Sequence, residues 1–239
     1  MSVVKIGWSG GKDSTCAVLK HIEQGDRVKA VCYIPMFNEE IPMLLRRHYE
    51  FIMLSADRLR KMGAEVRVVS GMTYYEYVTH IAKRGKNKGK PFGFPLFVRS
   101  QCGFKRSNKL KALSACDVGE YDYQGIGIAA DETARFRQID GTLKRSVLLE
   151  NGITGEQAKE YCRLRGFLSP HYDLLKRDGC VLCPHARECE RQMWYADYPE
   201  AVPILIDLQN FVRRERPEQT PLRNYRWFIE ENDNVKMEG

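Results

Sequence analysis

Six consecutive residues, Ser9-Gly10-Gly11-Lys12-Asp13-Ser14, combine the side-chain types that hold a phosphate group. Two glycines let the backbone come close to an anion, Lys12 adds a full positive charge, and Ser9 and Ser14 add hydroxyl donors. Ahead of them lies a short apolar run, Val3 to Trp8. Behind them Cys16, Ala17, Leu19, Lys20 and Ile22 form a helical stripe that Gly25 closes. A strand, a glycine turn and a helix in that order present unpaired N–H groups at the positive end of the helix, where anions bind. The spacing is not that of a Walker A loop, because the glycine required five positions ahead of Gly11 is absent, Ile6 standing there. An ordinary γ-phosphate-cleaving P-loop enzyme is therefore not expected.

Two further groups of residues carry chemistry. Asp131-Glu132-x-x-Arg135-x-Arg137 follows a second apolar run, Gln124 to Ala129, and ligands of open α/β sheets sit at such strand ends. The carboxylates of Asp131 and Glu132 suit Mg²⁺, and Arg135 and Arg137 suit a bidentate grip on phosphate or sulfate. A solvated turn of mixed charge is the plainer reading of the same segment. The third group is Cys180-x-x-Cys183-x₅-Cys189, with Pro184 directly after the second cysteine. Two cysteines at this spacing can wrap one metal ion, and His185 beside them is one candidate for a further ligand. Four thiolates would suit zinc or an iron–sulfur cluster equally. Of the 8 cysteines, Cys16, Cys32 and Cys162 fall inside helix or strand patterns and read as small core residues, while Cys116 stays undecided.

The elements that must position these groups alternate. Val28 to Ile34 and Glu65 to Val69 read as strands. Leu44, Leu45, Tyr49, Ile52 and Leu59 place a helix over Pro42 to Met62, stopped by Gly63, and a shorter helix is expected around Tyr75 to Lys83. Thr154-x-x-Gln157 is a capping box that opens a helix ending at Gly166, and a last helical stretch runs from about Ala186 to Arg214. Strands alternating with helices predict a Rossmann-like α/β fold, an open parallel sheet with helices on both faces. Residues 1–175 are expected to form this domain, and residues 176–239 a small cysteine-containing helical module whose end, from about Glu230, is frayed.

The composition narrows the classes. The chain has 239 residues, 43% apolar and 29% charged, with no apolar run near the roughly 20 residues that span a bilayer. Its first residues enter a strand pattern directly rather than a secretory signal, so a soluble cytoplasmic protein is expected, with no membrane partner. The formal charge of +7 suits a nucleotide or nucleic-acid partner, or simply a solvated surface. Basic residues crowd positions 84–111. Arg84 to Lys90 and the helix bearing Lys105, Arg106, Lys109 and Lys111 can track a phosphate backbone, with Phe92, Phe94 and Phe97 near enough in sequence to stack on bases.

Ser-Gly-Gly-Lys-Asp-Ser immediately after the first strand resembles the PP-loop of the adenine-nucleotide α-hydrolase superfamily, and the nearest subgroup is the 3′-phosphoadenylylsulfate (PAPS) reductase-like family. The resemblance covers roughly residues 1–205. Gly127 to Arg135 is similar to that family's second nucleotide-contacting turn. Gly152 to Arg163, then Ser169-Pro170-His171-Tyr172-Asp173, then Gly179-Cys180-Val181-Leu182-Cys183-Pro184, are similar to its helix, loop and Gly-Cys pair. The resemblance implies a HUP-type Rossmann-like sheet binding ATP, or a PAPS-like adenine nucleotide, with Mg²⁺. It implies cleavage of the α–β bond, with Lys12, Asp13, Asp131 and Arg135 acting in catalysis and Ser9, Gly10, Gly11, Lys12, Asp13, Ser14, Glu132 and Arg137 holding the nucleotide. It also implies Cys102 as the cysteine that joins Cys180, Cys183 and Cys189 around a [4Fe–4S] cluster or Zn²⁺.

Members that reduce sulfonucleotides carry a tail cysteine that attacks sulfur, and here no cysteine follows Cys189, so reductase activity lacks its nucleophile. The expected activity is therefore that of an ATP pyrophosphatase that adenylates a substrate, with sulfur transfer to tRNA or DNA as the associated chemistry. The alternatives are a PAPS or APS reductase with an unusual thiol donor, and a non-catalytic nucleotide-binding subunit of a larger assembly. A homodimer is compatible with all three.

Overall fold

The computed structural model describes residues 1–95, 97–98, 101–139, 142–175, 179–183 and 186–219. In chain order the elements are β1 (Val3–Trp8), α1 (Lys12–Glu23), β2 (Arg27–Tyr33), α2 (Arg46–Lys61), β3 (Glu65–Val69), α3 (Tyr74–Thr79), β4 (Phe97–Val98), β5 (Gln101–Cys102), α4 (Gly103–Ala115), β6 (Tyr123–Gly125), β7 (Lys144–Arg145), α5 (Val147–Glu150), α6 (Gly155–Leu164), α7 (Glu188–Asp197) and α8 (Ala201–Glu215), with short 3₁₀ turns at Thr133–Gln138, Pro170–Asp173 and Pro217–Gln219.

The chain divides into two compact units, each discontinuous in sequence. The first comprises Met1–Pro35, Arg46–Gly71 and Ser107–Asp178; the second comprises Met36–Leu45, Met72–Arg106 and the chain from Gly179 on. The linear division expected near residue 175 is thus only part of the boundary.

The first unit is an α/β sheet of five parallel strands in the order β3-β2-β1-β6-β7. Sequential strands step outward from β1 to β3, and the chain then returns to the other side of β1 with β6. The order therefore reverses between β1 and β6, and in open α/β sheets the crevice at that reversal is where ligands bind. Helices cover both faces, as the alternation of β1 shows. Trp8, in phase with buried Val4 and Ile6, donates from its indole Nε1 to Thr15 Oγ1 of α1 at 2.9 Å. Lys5, out of phase with them, reaches the Leu113 carbonyl of α4 at 3.4 Å.

Lys29, the register partner of Lys5, is buried and donates to the carbonyls of Val118 and Glu120 at 2.6 and 2.9 Å. Two neighbouring lysines on one sheet face are tolerated because carbonyl oxygens of α4 and of the segment after it solvate them. The core around α1 is small-residue packing. Cys16 and Ala17 meet Ala158 and Cys162 of α6, Val147 and Leu148 of α5, and Ala129. Among these are Cys16 and Cys162, which, like Cys32 in β2, are buried core residues as expected.

Local signals held where they were chemically explicit. Thr154 and Gln157 form the capping box, with Thr154 Oγ1 accepting from the Gln157 amide, and Gly25, Gly63 and Gly166 adopt positive φ after their helices. Four elements differ from expectation. The helix α3 stops at Thr79 rather than near Lys83. The helix expected from Pro42 begins at Arg46, because residues 36–45 serve the second unit. There the Trp194 indole donates to the Pro42 carbonyl at 2.9 Å and the Val181 amide to the Met43 carbonyl at 3.0 Å. The single helix expected over Ala186 to Arg214 is two, α7 and α8, parted around Pro199, a residue that removes a backbone donor. The strand expected over Gln124 to Ala129 stops at Gly125, and its edge partner is the two-residue β7.

Within the second unit, residues 82–92 form a knot of turns with positive φ at Gly85 and Gly89. The buried Arg216 donates to the Pro91 and Phe92 carbonyls. The expected frayed end, from Glu230, lies outside the described residues. Among the described residues no helix is long and apolar enough to cross a membrane.

The sheet's reversal point has one tight spot. A Cβ added at Gly127 would lie 2.7 Å from the Ser14 amide nitrogen and 2.8 Å from the Asp13 carbonyl carbon, both backbone atoms that cannot rotate away. Gly127→Ala is expected to lower the free energy of unfolding by about 1–3 kcal/mol, read as a lower denaturant midpoint at unchanged slope.

Candidate functional site: the loop after the first strand

β1 ends in Ser9, and Gly10 turns the chain with φ +74, a conformation that only glycine adopts without strain. A side chain there would also meet Ile52 of α2 at 2.5 Å. Gly11 is the N-cap of α1 and supplies no side-chain cap, so the first turn of the helix keeps its amides for other partners. The loop is held from within by its serines. Ser14 Oγ accepts from the Ser9 amide at 3.1 Å and donates to the Gly11 carbonyl at 3.1 Å. The two hydroxyls lie 3.0 Å apart, and the Gly11 amide donates to Ser9 Oγ at 3.3 Å. All of Ser9 to Ser14, expected from sequence to act together, is therefore one hydrogen-bonded structure at the sheet's reversal point.

Three of the expected charged residues converge on the N-terminus of α6. Lys12 Nζ pairs with Asp13 at 2.8 and 3.0 Å, and both side chains are partly exposed. Asp131 Oδ1 accepts from the Gly155 amide at 2.9 Å, a carboxylate placed on the positive end of α6. A Cβ at position 155 would stand 2.7 Å from Lys12 Nζ, 3.7 Å from Asp131 Oδ2 and 3.8 Å from Asp13 Oδ1. One point thus lies within reach of one ammonium and two carboxylates, and glycine keeps it open. This participation of Gly155 was not anticipated from sequence, where the residue reads only as the first position of a capped helix.

Glu132 and Arg135 do not join that group. Glu132 accepts from the Ala129 amide at 3.1 Å and from Arg135 Nη1 at 2.8 Å, so the two residues brace their own 3₁₀ turn. The side chain of Arg137 lies outside the described residues.

Beneath the loop, the Cys162 thiol donates to the Lys12 carbonyl at 3.3 Å and also meets Cys16. Contact with the Cys16 thiol and burial together raise the Cys162 pKa. Burial pushes Cys32 up to about 12, against the opposing charge of Lys109.

The second unit holds the remaining cysteines. Cys180 and Cys183 share a hydrogen bond that, with burial, raises the Cys180 thiol. Cys102, raised chiefly by its own burial, is near enough to both to interact electrostatically. Cys189 lies exposed in the first turn of α7. Among the described residues no three His, Cys, Asp or Glu side chains are assembled as a metal site. Pro184 and His185 lie outside the described residues. In the basic 84–111 region, Phe94 is buried, while Phe92 is more exposed and packs edge-on against Tyr77 at 5.3 Å. Phe94 is thus a core residue rather than a surface for bases; the side chains of Phe97 and Arg106 lie outside the described residues.

No protein-family model matches the chain, and no curated protein matches it.

Two outcomes follow from the site's packing. Gly155→Ala would displace only the flexible end of Lys12, so stability is expected to stay within about 0.5 kcal/mol of wild type, while affinity for inorganic pyrophosphate falls. Calorimetric titration beside a denaturation curve checks both. Alkylation of the folded protein at pH 8 is expected to label Cys189 and to spare Cys16, Cys32 and Cys162 until denaturant is added, as read by peptide mass mapping.

Proposed function

We propose that the chain is an ATP-binding enzyme of the PP-loop kind that cleaves the nucleotide between its α and β phosphates and adenylates a substrate. The observation that carries this reading is the convergence of Lys12, Asp13 and Asp131 at Gly155, beside a serine-braced glycine loop at the sheet's reversal point. The loop amides and Lys12 would hold the pyrophosphate portion. The resemblance to the PAPS reductase-like family, noted from the motifs, points the same way.

The carboxylates suit a hard cation. Asp131 and Asp13 each place a carboxylate oxygen within 4 Å of where a Cβ of residue 155 would stand, and these two residues would hold Mg²⁺. Bound there, Mg²⁺ would offset phosphate charge. In the proposed reaction a substrate oxygen forms a bond to the α-phosphorus as the bond from that phosphorus to the bridging oxygen breaks, and pyrophosphate departs with the bond's electron pair. Lys12 and the loop amides stabilise the charge that gathers on the leaving group, without any residue having to act as a base.

Cys102, Cys180, Cys183 and Cys189 are the residues around which zinc or a [4Fe–4S] cluster would close. Among the described residues they are not assembled as a complete donor set. Sulfur transfer to tRNA or DNA, with the basic residues of 84–111 following the backbone, is the proposed downstream chemistry.

With ATP and Mg²⁺, AMP and pyrophosphate are the expected products by ³¹P NMR, and ADP with phosphate would contradict the assignment. Lys12→Ala is expected to weaken pyrophosphate binding by roughly tenfold to a hundredfold. Iron, sulfide and zinc analysis of anaerobically purified protein separates a cluster from a zinc site and from no metal at all.

A further inference from the structure

We propose that Tyr172 is a ligand of the bound nucleotide, donating its hydroxyl proton to an oxygen of the pyrophosphate group. The proposal rests on the phosphate-site reading above and adds to it a residue from a different part of the chain. The amide of Lys12, the first of α1, donates to Tyr172 Oη at 3.2 Å. The hydroxyl oxygen therefore stands at the positive end of α1, where an anion would otherwise accept from that amide directly. A neutral hydroxyl does not discharge the helix end as a carboxylate would. An oxygen that accepts from an amide has its own O–H strengthened as a donor. The amide, the hydroxyl and the phosphate oxygen then form a chain, so the tyrosine carries the helix's donor outward rather than blocking it.

Tyr172 is held in this place by a packed wall. It lies in the 3₁₀ turn Pro170–Asp173, whose N-cap Ser169 accepts from the His171 amide at 3.4 Å. Ser169 Oγ is also hydrogen-bonded to His48 Nδ1 of α2 at 2.9 Å. The His171 ring packs edge-on to Tyr172 with centroids 4.7 Å apart, and tilted against His48 at 4.8 Å. His48 in turn touches the phosphate loop, its Cε1 standing 3.4 Å from where a Cβ of Gly10 would be. His48, Ser169 and His171 are all buried. The turn that carries Tyr172 thus rests on His171 and His48, and His48 also stands beside Gly10, which fixes the hydroxyl relative to the loop before any ligand arrives.

The test is calorimetric titration of the full chain with inorganic pyrophosphate, together with the thermal midpoint of the unliganded protein, for wild type, Tyr172→Phe and Lys12→Ala. Tyr172→Phe keeps the ring and its packing and removes only the hydroxyl. The expected result is a Kd for pyrophosphate raised roughly tenfold with the unliganded midpoint unchanged. Equal or tighter binding by Tyr172→Phe would mean that the hydroxyl merely covers the amide, and would overturn the proposal. A fall in both midpoint and affinity would make Tyr172 a packing residue and overturn it as well. A pyrophosphate Kd that Lys12→Ala leaves unchanged would instead refute the phosphate site itself, so the two failures are distinguishable.

Discussion

The approach of Gly127 to the backbone of Asp13 and Ser14 is the contact on which the candidate site depends. The segment leaving β6 can pass the start of α1 only because residue 127 has no side chain, and this passage lets the chain turn at Ala129 and carry Asp131 to the N-terminus of α6. The sheet order supplies the opening: β1 has β2 on one side and β6 on the other, and the connections leave in opposite directions. Had β6 paired elsewhere, Asp131 and Gly155 would not lie beside Lys12. The loop after β1 would then be an isolated glycine turn.

Charge at this point is balanced rather than merely concentrated. Lys12 is paired with Asp13, and Asp131 is satisfied by an amide at the positive end of α6. Such partly exposed pairs contribute little stability by themselves. Their value in the proposed function lies in rearrangement, since a pyrophosphate group would offer Lys12 a more highly charged partner and a cation would offer the two aspartates another. The serines work differently: their bonds close within the loop and preserve its shape. The small side chains beneath, Ala17, Ala158, Cys16 and Cys162, let α1 and α6 approach closely. Both helix N-termini thereby come to the same place.

The second unit follows another logic. Its pieces come from three stretches of chain and are joined by aromatic packing of Phe37, Tyr74, Phe104 and Trp194, and by single hydrogen bonds to backbone carbonyls, such as those from Trp194 to Pro42 and from Arg216 to Pro91. None of those partners is near the other in sequence. That is why a helix pattern over Pro42 to Met62 misleads at its start: Leu44 and Leu45 have helical spacing, yet Pro42 to Leu45 form a bridge and a bend in another unit, and tertiary demand overrides propensity.

Local chemistry was legible from the residues alone. The order strand, glycine loop, helix at Val3 to Glu23 is encoded by an apolar run, a positive-φ glycine and a helical stripe. The Thr154–Gln157 cap and the stops at Gly25, Gly63 and Gly166 are encoded just as locally. Burial of Cys16, Cys32 and Cys162 follows from their phase in those elements. Only the folded chain decided which distant residues meet. It placed Asp131 with Lys12 but turned Glu132 and Arg135 toward each other, and it brought in Gly155 and Tyr172, whose types carry no signal of a site. The physical reason is range. Caps, turns and periodicity act over a few residues, whereas strand order and helix approach are set by the packing of the whole sheet, and a site built across them is specified at that scale.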